Sequence, residues 1–96
     1  MNEMSIMGTE AQLKIALKDV PSAQIPDGIK GGDTKIIWSA ENADETAQAR
    51  KTFEDLKKKG FAGFAVNKKG DKGEQIFTFD PDAEKLILVP PLRGGV

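Results

Sequence analysis

The chain has 96 residues, of which 39% are hydrophobic and 30% are charged, and its formal net charge is −1. This length suits one domain with a modest core, and the composition is that of an ordinary globular protein. Because the sequence contains neither cysteine nor histidine, disulfides, thiolate nucleophiles, the usual zinc sites and an imidazole base are excluded. We therefore expect a non-enzymatic protein with no catalytic residue, no metal site and no cofactor.

The charge pattern and the apolar segments also narrow the choice of partners. Six lysines gather in the middle of the sequence, but acidic residues are interleaved with them and no series of aromatic residues accompanies them. No apolar run approaches the roughly 18 residues of a transmembrane helix, and the N-terminus does not resemble a signal peptide. We predict a cytoplasmic protein that binds neither nucleic acid nor membranes. The six lysines are Lys57, Lys58, Lys59, Lys68, Lys69 and Lys72.

The first third of the sequence predicts one strand and much irregular chain. Residues 1–10 are weakly patterned, so we expect a mobile N-terminal arm. Leu13, Ile15 and Leu17 then occupy every second position, which is the period of a half-buried strand over residues 11–20. Proline and glycine turn residues follow and predict a long loop up to residue 33. Two interpretations stay open: residues 11–33 join the sheet, or they lie outside a core that begins near residue 34.

One helix is predicted, over about residues 42–59. Asn42 can cap its first free amides, and Glu45, three residues later, completes the sequence pattern of a capping box. Apolar and small residues recur at spacings of three and four and form one stripe that faces a sheet. Lysines in the last turn suit the negative end of the helix dipole, and Gly60 is expected as the left-handed cap.

Four further strands are predicted from β-branched, aromatic and alternating segments. The first of them ends at Trp38, which we expect to anchor the core. In the third, Phe77 and Phe79 are expected on the same face. The predicted strands are residues 34–38, 61–66, 75–79 and 85–89.

The segments between the last strands predict turns. Gly70 and Gly73 lack the spacing of a phosphate-binding loop and are expected to be turn residues. Asp80, Asp82 and Glu84 surround a proline suited to the second position of a type I turn. In an exposed turn, no neighbouring group is expected to shift the pKa values of these carboxylates as acid-base catalysis requires. Turn formation is therefore the interpretation we prefer.

These elements add up to a single α+β domain. We predict a mixed or antiparallel sheet of four to five strands packed against the one helix. The predicted organisation is a mobile arm over residues 1–10, a strand and a long loop over residues 11–33, a core over residues 34–90, and a flexible tail over residues 91–96.

The order of the predicted elements and the ending KLILVPPLRGG resemble the β-grasp superfamily. The ending is similar to that of the small subunit of molybdopterin synthase, the thiamine sulfur carrier and ubiquitin. In the sulfur carriers, the last strand runs into two prolines, one or two further residues and a terminal Gly-Gly. The resemblance covers the last third of the chain by residues and the remainder only by element order. It implies a β-grasp-like fold.

The resemblance also implies a function for the tail, as a protein-interaction module of the ubiquitin-like or sulfur-carrier type. The tail would enter a partner's groove, and Gly95 would be the conjugating residue. Because Val96 follows Gly95, this function requires removal of the valine, so the implied partners are an activating enzyme and a processing protease. The implied binding residues are Pro90, Pro91, Leu92, Arg93, Gly94 and Gly95.

A second resemblance, without a single motif behind it, points elsewhere. The segment from residue 38 to residue 66, followed by GEQIFTFDPDAEKLILVPPLRGG, resembles small proteins of bacteriophage and prophage gene clusters. It implies a structural or decoration protein of the virion that docks to capsid or tail subunits. Similarity at the level of fold does not choose between the two functions.

Overall fold

A five-stranded mixed sheet with two helices on one face forms the domain in the computed structural model, which describes residues 1–66 and 73–91. The strands are β1 (Asn2–Gly8), β2 (Gly32–Trp38), β3 (Ala62–Val66), β4 (Glu74–Ile76) and β5 (Lys85–Val89). The helices are α1 (Glu10–Ala16) and α2 (Ala43–Lys58), and a short 3-10 turn lies at Ser22–Gln24. The α+β class is confirmed, with one helix more than predicted.

The first and last strands pair with each other in the interior of the sheet. The strand order is β2-β1-β5-β3-β4. Strand β1 runs parallel to β5, with Met4 opposite Leu86 and Ile6 opposite Leu88. Strands β1 and β2, β3 and β5, and β3 and β4 pair antiparallel. The predicted strand over residues 85–89 is confirmed residue for residue, and it is an interior strand.

The core lies between one sheet face and the two helices. Alternate residues of β1 and β5 are fully buried, as a strand with one covered face requires. From α2, Phe53 packs so closely on β3 that a Cβ on Gly63 would come within 2.9 Å of its ring. The main buried side chains of the sheet are Met4, Ile6, Ile36, Trp38, Leu86 and Leu88, and those of the helices are Leu13, Leu17, Ala49, Phe53 and Leu56.

Trp38 anchors the core, as predicted. Its side chain is fully buried, and its indole Nε1 donates a hydrogen bond to the carbonyl oxygen of Pro81 at 3.1 Å. Its ring centroid lies 5.2 Å from that of Phe79. A buried indole N–H needs such a partner, so Trp38 ties β2 to the turn that precedes β5.

The ends of α2 follow the sequence prediction with one difference. The Asn42 side chain accepts hydrogen bonds from the amides of Asp44 and Glu45, at 3.0 and 3.1 Å. The carboxylate of Glu45 accepts a hydrogen bond from the amide of Ser39 at 2.9 Å. In the predicted capping box, it would accept this bond from the amide of Asn42 instead. At the other end, Gly60 adopts a φ of 94°, which confirms the left-handed cap.

The predictions for residues 1–10 and 11–20 were wrong. Residues 1–10 were predicted to be an arm without regular structure, but they contain β1, an interior strand. Residues 11–20 were predicted to be a strand, but they contain most of α1, which begins with a complete Thr9–Gln12 capping box. Leu13 of this helix and Leu17, its C-cap residue, are one turn apart and buried, whereas Ile15 is 69% exposed. The alternation in the sequence therefore came from a helix with two core positions.

Strand β4 is shorter than predicted. It ends at Ile76, and Phe77 is 70% exposed while Phe79 packs against Trp38 and Phe53. The prediction that Phe77 and Phe79 share one strand face was therefore wrong. The following turn is confirmed, with Pro81 in its second position and the amide of Ala83 donating to the carbonyl of Asp80. Gly73 comes just before β4, and Gly70 lies outside the described residues.

The position of β1 makes a specific stability prediction. Ile6→Ala should lower the free energy of unfolding by about 2–5 kcal/mol, because it leaves a cavity beside Leu88 in the core. Met7→Ala, one residue along on the opposite face, should cost less than about 1 kcal/mol, since Met7 is 43% exposed. Urea unfolding followed by circular dichroism measures both values. Equal and small losses would show that residues 2–8 form an arm outside the core.

Candidate functional site at the end of the C-terminal strand

The chain leaves the sheet from its interior at the end of β5. Strand β1 pairs with β5 as far as Leu88, and β3 pairs with it as far as Val89, so the backbone is held on both sides up to Leu88 and by β3 at Val89. Pro90 is half-buried and Pro91 is exposed. Neither proline has an amide hydrogen, so neither can donate to a neighbouring strand. The exit of the chain is thus anchored up to Val89 and open to solvent at Pro91.

Gly60 brings the end of α2 next to this exit. A Cβ on Gly60 would lie 3.5 Å from both Cβ and Cγ of Pro91, which is ordinary contact distance. The amide of Phe61 donates a hydrogen bond to the carbonyl oxygen of Leu56 at 3.0 Å, and the Phe61 side chain is buried. The corner between α2 and β3 therefore forms one wall beside the exit.

A groove lined mainly by apolar residues lies between this corner and α1. We call it the exit groove, and its volume is about 320 Å³. Phe61 is almost fully buried at its base, whereas Ile15 is 69% exposed on its α1 side. This volume is at the lower end of those of small-molecule sites, so the groove suits a protein side chain better than a large ligand. It is lined by Gln12, Ile15, Ala16, Lys59, Phe61 and Pro91.

The sheet face opposite the helices is also partly apolar. By the alternation of strand residues, it carries Ile37, Phe64, Ile87 and Val89, all half-buried. Ser5 lies among them and is buried, and its hydroxyl oxygen has no hydrogen-bond partner. We call this surface the open sheet face. It adjoins the exit of the chain through Val89.

The structure locates two of the six predicted site residues, Pro90 and Pro91, at the exit. Leu92, Arg93, Gly94 and Gly95 lie outside the described residues, as does Val96. Ile15 and Phe61, which line the exit groove, were not predicted as site residues. An isoleucine at a solvent-facing position of α1 is a usable signal, but only once residues 10–16 are recognised as a helix.

The carboxylates near β5 have a structural role in the turn. The Asp80 side chain accepts a hydrogen bond from the amide of Asp82 at 3.0 Å, which is typical of an Asx turn. Asp80, Asp82 and Glu84 are all exposed. Within residues 1–66 and 73–91, no group of three or more acidic side chains is arranged to hold a metal ion.

Comparison with known proteins does not assign the chain to a family. No protein-family model matches it, and neither a curated protein nor a solved structure is significantly similar to it. Among the described residues, neither helix has the length and apolar character needed to cross a membrane. The functional proposal below therefore rests on the sequence and on the geometry of the described residues.

Phe61 and Ile15, two of the apolar residues of the exit groove, should respond differently to truncation. Phe61→Ala should lower the free energy of unfolding by about 3–5 kcal/mol, because the ring is buried against the core. Ile15→Ala should change it by about 0.5 kcal/mol or less, since the side chain is mostly exposed and alanine favours a helix. Thermal unfolding of both variants measures the contrast. A large loss for Ile15→Ala would mean that this side chain is buried in the folded domain.

Proposed function

We propose that the chain is a non-enzymatic protein-interaction module of β-grasp type, whose C-terminal segment from Pro90 to Gly95 enters a groove of a partner protein. In this proposal, a protease cuts after Gly95 and removes Val96. An activating enzyme then adenylates the new carboxylate. The observation that carries the proposal is the anchoring of β5 in the interior of the sheet, directly before an exposed Pro91.

The arrangement of elements supports the β-grasp part of the proposal. Strands β1 and β2 pair antiparallel, α2 packs across one sheet face, and the chain then returns through β3 and β4 to β5 beside β1. This agrees with the strand, strand, helix, strand, strand order that the resemblance implies. The departures are α1 and the 3-10 turn between the first two strands, and a fifth strand.

The chemistry of the tail supports the conjugation part. An activating enzyme must bring a carboxylate to the α-phosphate of ATP through a narrow channel, and residues without a Cβ fit where larger ones do not. Carboxylate attack releases pyrophosphate and forms an acyl adenylate. A sulfur or amine nucleophile then displaces AMP. Gly94 and Gly95 are the residues that this path requires at the reacting end.

The two prolines restrict the conformation at the start of the tail. Proline fixes φ near −65° and favours the polyproline conformation, which has no internal hydrogen bonds. A segment that begins with Pro90 and Pro91 thus loses less conformational entropy when it enters a groove than an unrestricted segment. The segment is therefore suited to insertion into another protein.

Intact mass spectrometry tests the proposal in cells that naturally produce the chain. A tag at the N-terminus is suitable, because Asn2 and Val89 lie at opposite ends of the sheet by register. We expect the tagged chain to be lighter by one valine residue, or joined through Gly95 to another molecule. Gly94→Val and Gly95→Val should abolish both products, because each adds a side chain at the reacting end.

The control is Gln75→Ala, a change at an exposed residue of β4, which should leave the products unchanged. An unmodified full-length chain in every fraction would contradict the proposal. If the same chain were found at a fixed copy number in purified virus particles, the virion hypothesis would replace it.

A further inference from the structure

We infer that the partner that receives the tail also covers the exit groove, and that it inserts an apolar side chain flanked by a carboxylate there. The inference rests on the proposed function and specifies the docking surface and the chemistry of the partner. Three features of the described residues carry it: the short distance between groove and tail, the exposure of Ile15, and the charge of the groove.

The length of the tail limits how far the partner can stay from the domain. Gly95 is four residues beyond Pro91, and an extended chain spans at most about 3.6 Å per residue, or roughly 14 Å here. A protein that holds Gly95 in its site therefore approaches Pro91 to within this distance. Because Pro91 itself lines the exit groove, such a protein comes close enough to contact the groove.

The exposed apolar surface of the groove favours direct contact between the partner and the groove. Ile15 is one of the few large hydrophobic side chains that the described residues leave mostly exposed. It extends the apolar surface formed by Phe61 and Pro91 along one side of the groove. Removing this surface from water favours association by about 25 cal/mol for each Å². An apolar side chain of the partner is therefore the complementary occupant.

The charge of the groove favours acidic residues next to the apolar side chain of the partner. Lys59 lines the groove, and no acidic residue is among its lining residues. On the outer side of α1, Lys14 pairs with Glu10 at 3.1 Å, and near the end of α2, Lys57 lies over the ring of Phe77. Lys59 therefore gives the groove a positive rim, which a carboxylate on the partner complements.

Photo-crosslinking in cells that produce the chain tests this surface. Three variants carry p-benzoylphenylalanine, in place of Ile15 in the groove, Leu92 in the tail, or Lys35 as the control. Lys35 is exposed on β2 and belongs to the open sheet face. We expect the probes at Ile15 and Leu92 to become joined to the same protein, and the probe at Lys35 not to. The peptide joined at Ile15 should contain an aspartate or glutamate.

Charge reversal provides the second arm of the experiment. Lys59→Glu should lower the yield of the Leu92 adduct about fivefold, the size expected when an attractive pair at an interface rim becomes repulsive. The matched change Lys35→Glu should lower it less than about twofold. Both lysines are exposed, so both variants should fold, and thermal unfolding verifies that they do.

The outcomes separate this inference from the proposed function. If Gly95 is processed and the Leu92 probe is joined to a protein that the Ile15 probe never reaches, the docking surface is wrong and the function stands. An adduct at Lys35 in place of Ile15 would show that the partner covers the open sheet face. If Gly95 is never processed and Leu92 forms no adduct, both proposals fail.

Discussion

The parallel pairing of β1 with β5 is the interaction on which the rest of the structure depends. It joins residues 3–6 to residues 85–88, so it closes nearly the whole chain into one loop. The paired residues Met4 and Leu86, and Ile6 and Leu88, are all fully buried, and burial of each such side chain contributes about 1.5–3 kcal/mol. Both helices then cover these side chains. Because β5 is held between β1 and β3, the chain after Val89 also starts from a fixed point beside the exit groove.

The parts of the fold that depend on local signals were predictable. Helix α2 has its cap at Asn42 and its glycine end at Gly60, and β5 is a short β-branched and aliphatic run before two prolines. Helix α1 also has a local start signal, the capping box of Thr9 and Gln12, but the apolar residues at every second position from Leu13 to Leu17 fit a strand as well as a helix. What distinguishes the two conformations is Ile15: a strand would place it on the same face as Leu13 and Leu17, whereas here both leucines are buried and Ile15 is 69% exposed, as a helix requires. Strand β1 is an interior strand because it pairs with β5, which is distant from it in sequence.

The candidate site also has one part that was predictable from the sequence and one part that was not. The tail was identified from a contiguous motif, since its prolines and glycines have meaning by their order alone. The exit groove has no such motif, because its walls come from α1, from the corner after α2, and from Pro91. Only the fold brings these three segments together, and it does so because β5 ends beside the start of β3. A surface formed by segments that are distant in sequence could therefore be identified only from the structure.

Amide hydrogen exchange measured by NMR tests the central role of the β1–β5 pair most directly. An interior strand has hydrogen-bonded neighbours on both sides, so its amides exchange only when the domain opens as a whole. We predict that β1 and β5 contain the slowest-exchanging amides of the sheet, with protection equal to the global free energy of unfolding, and that the edge strand β4 exchanges much faster. If the amides of β1 exchanged as fast as those of β4 while β5 stayed protected, β1 would not be an interior strand and the account would be wrong.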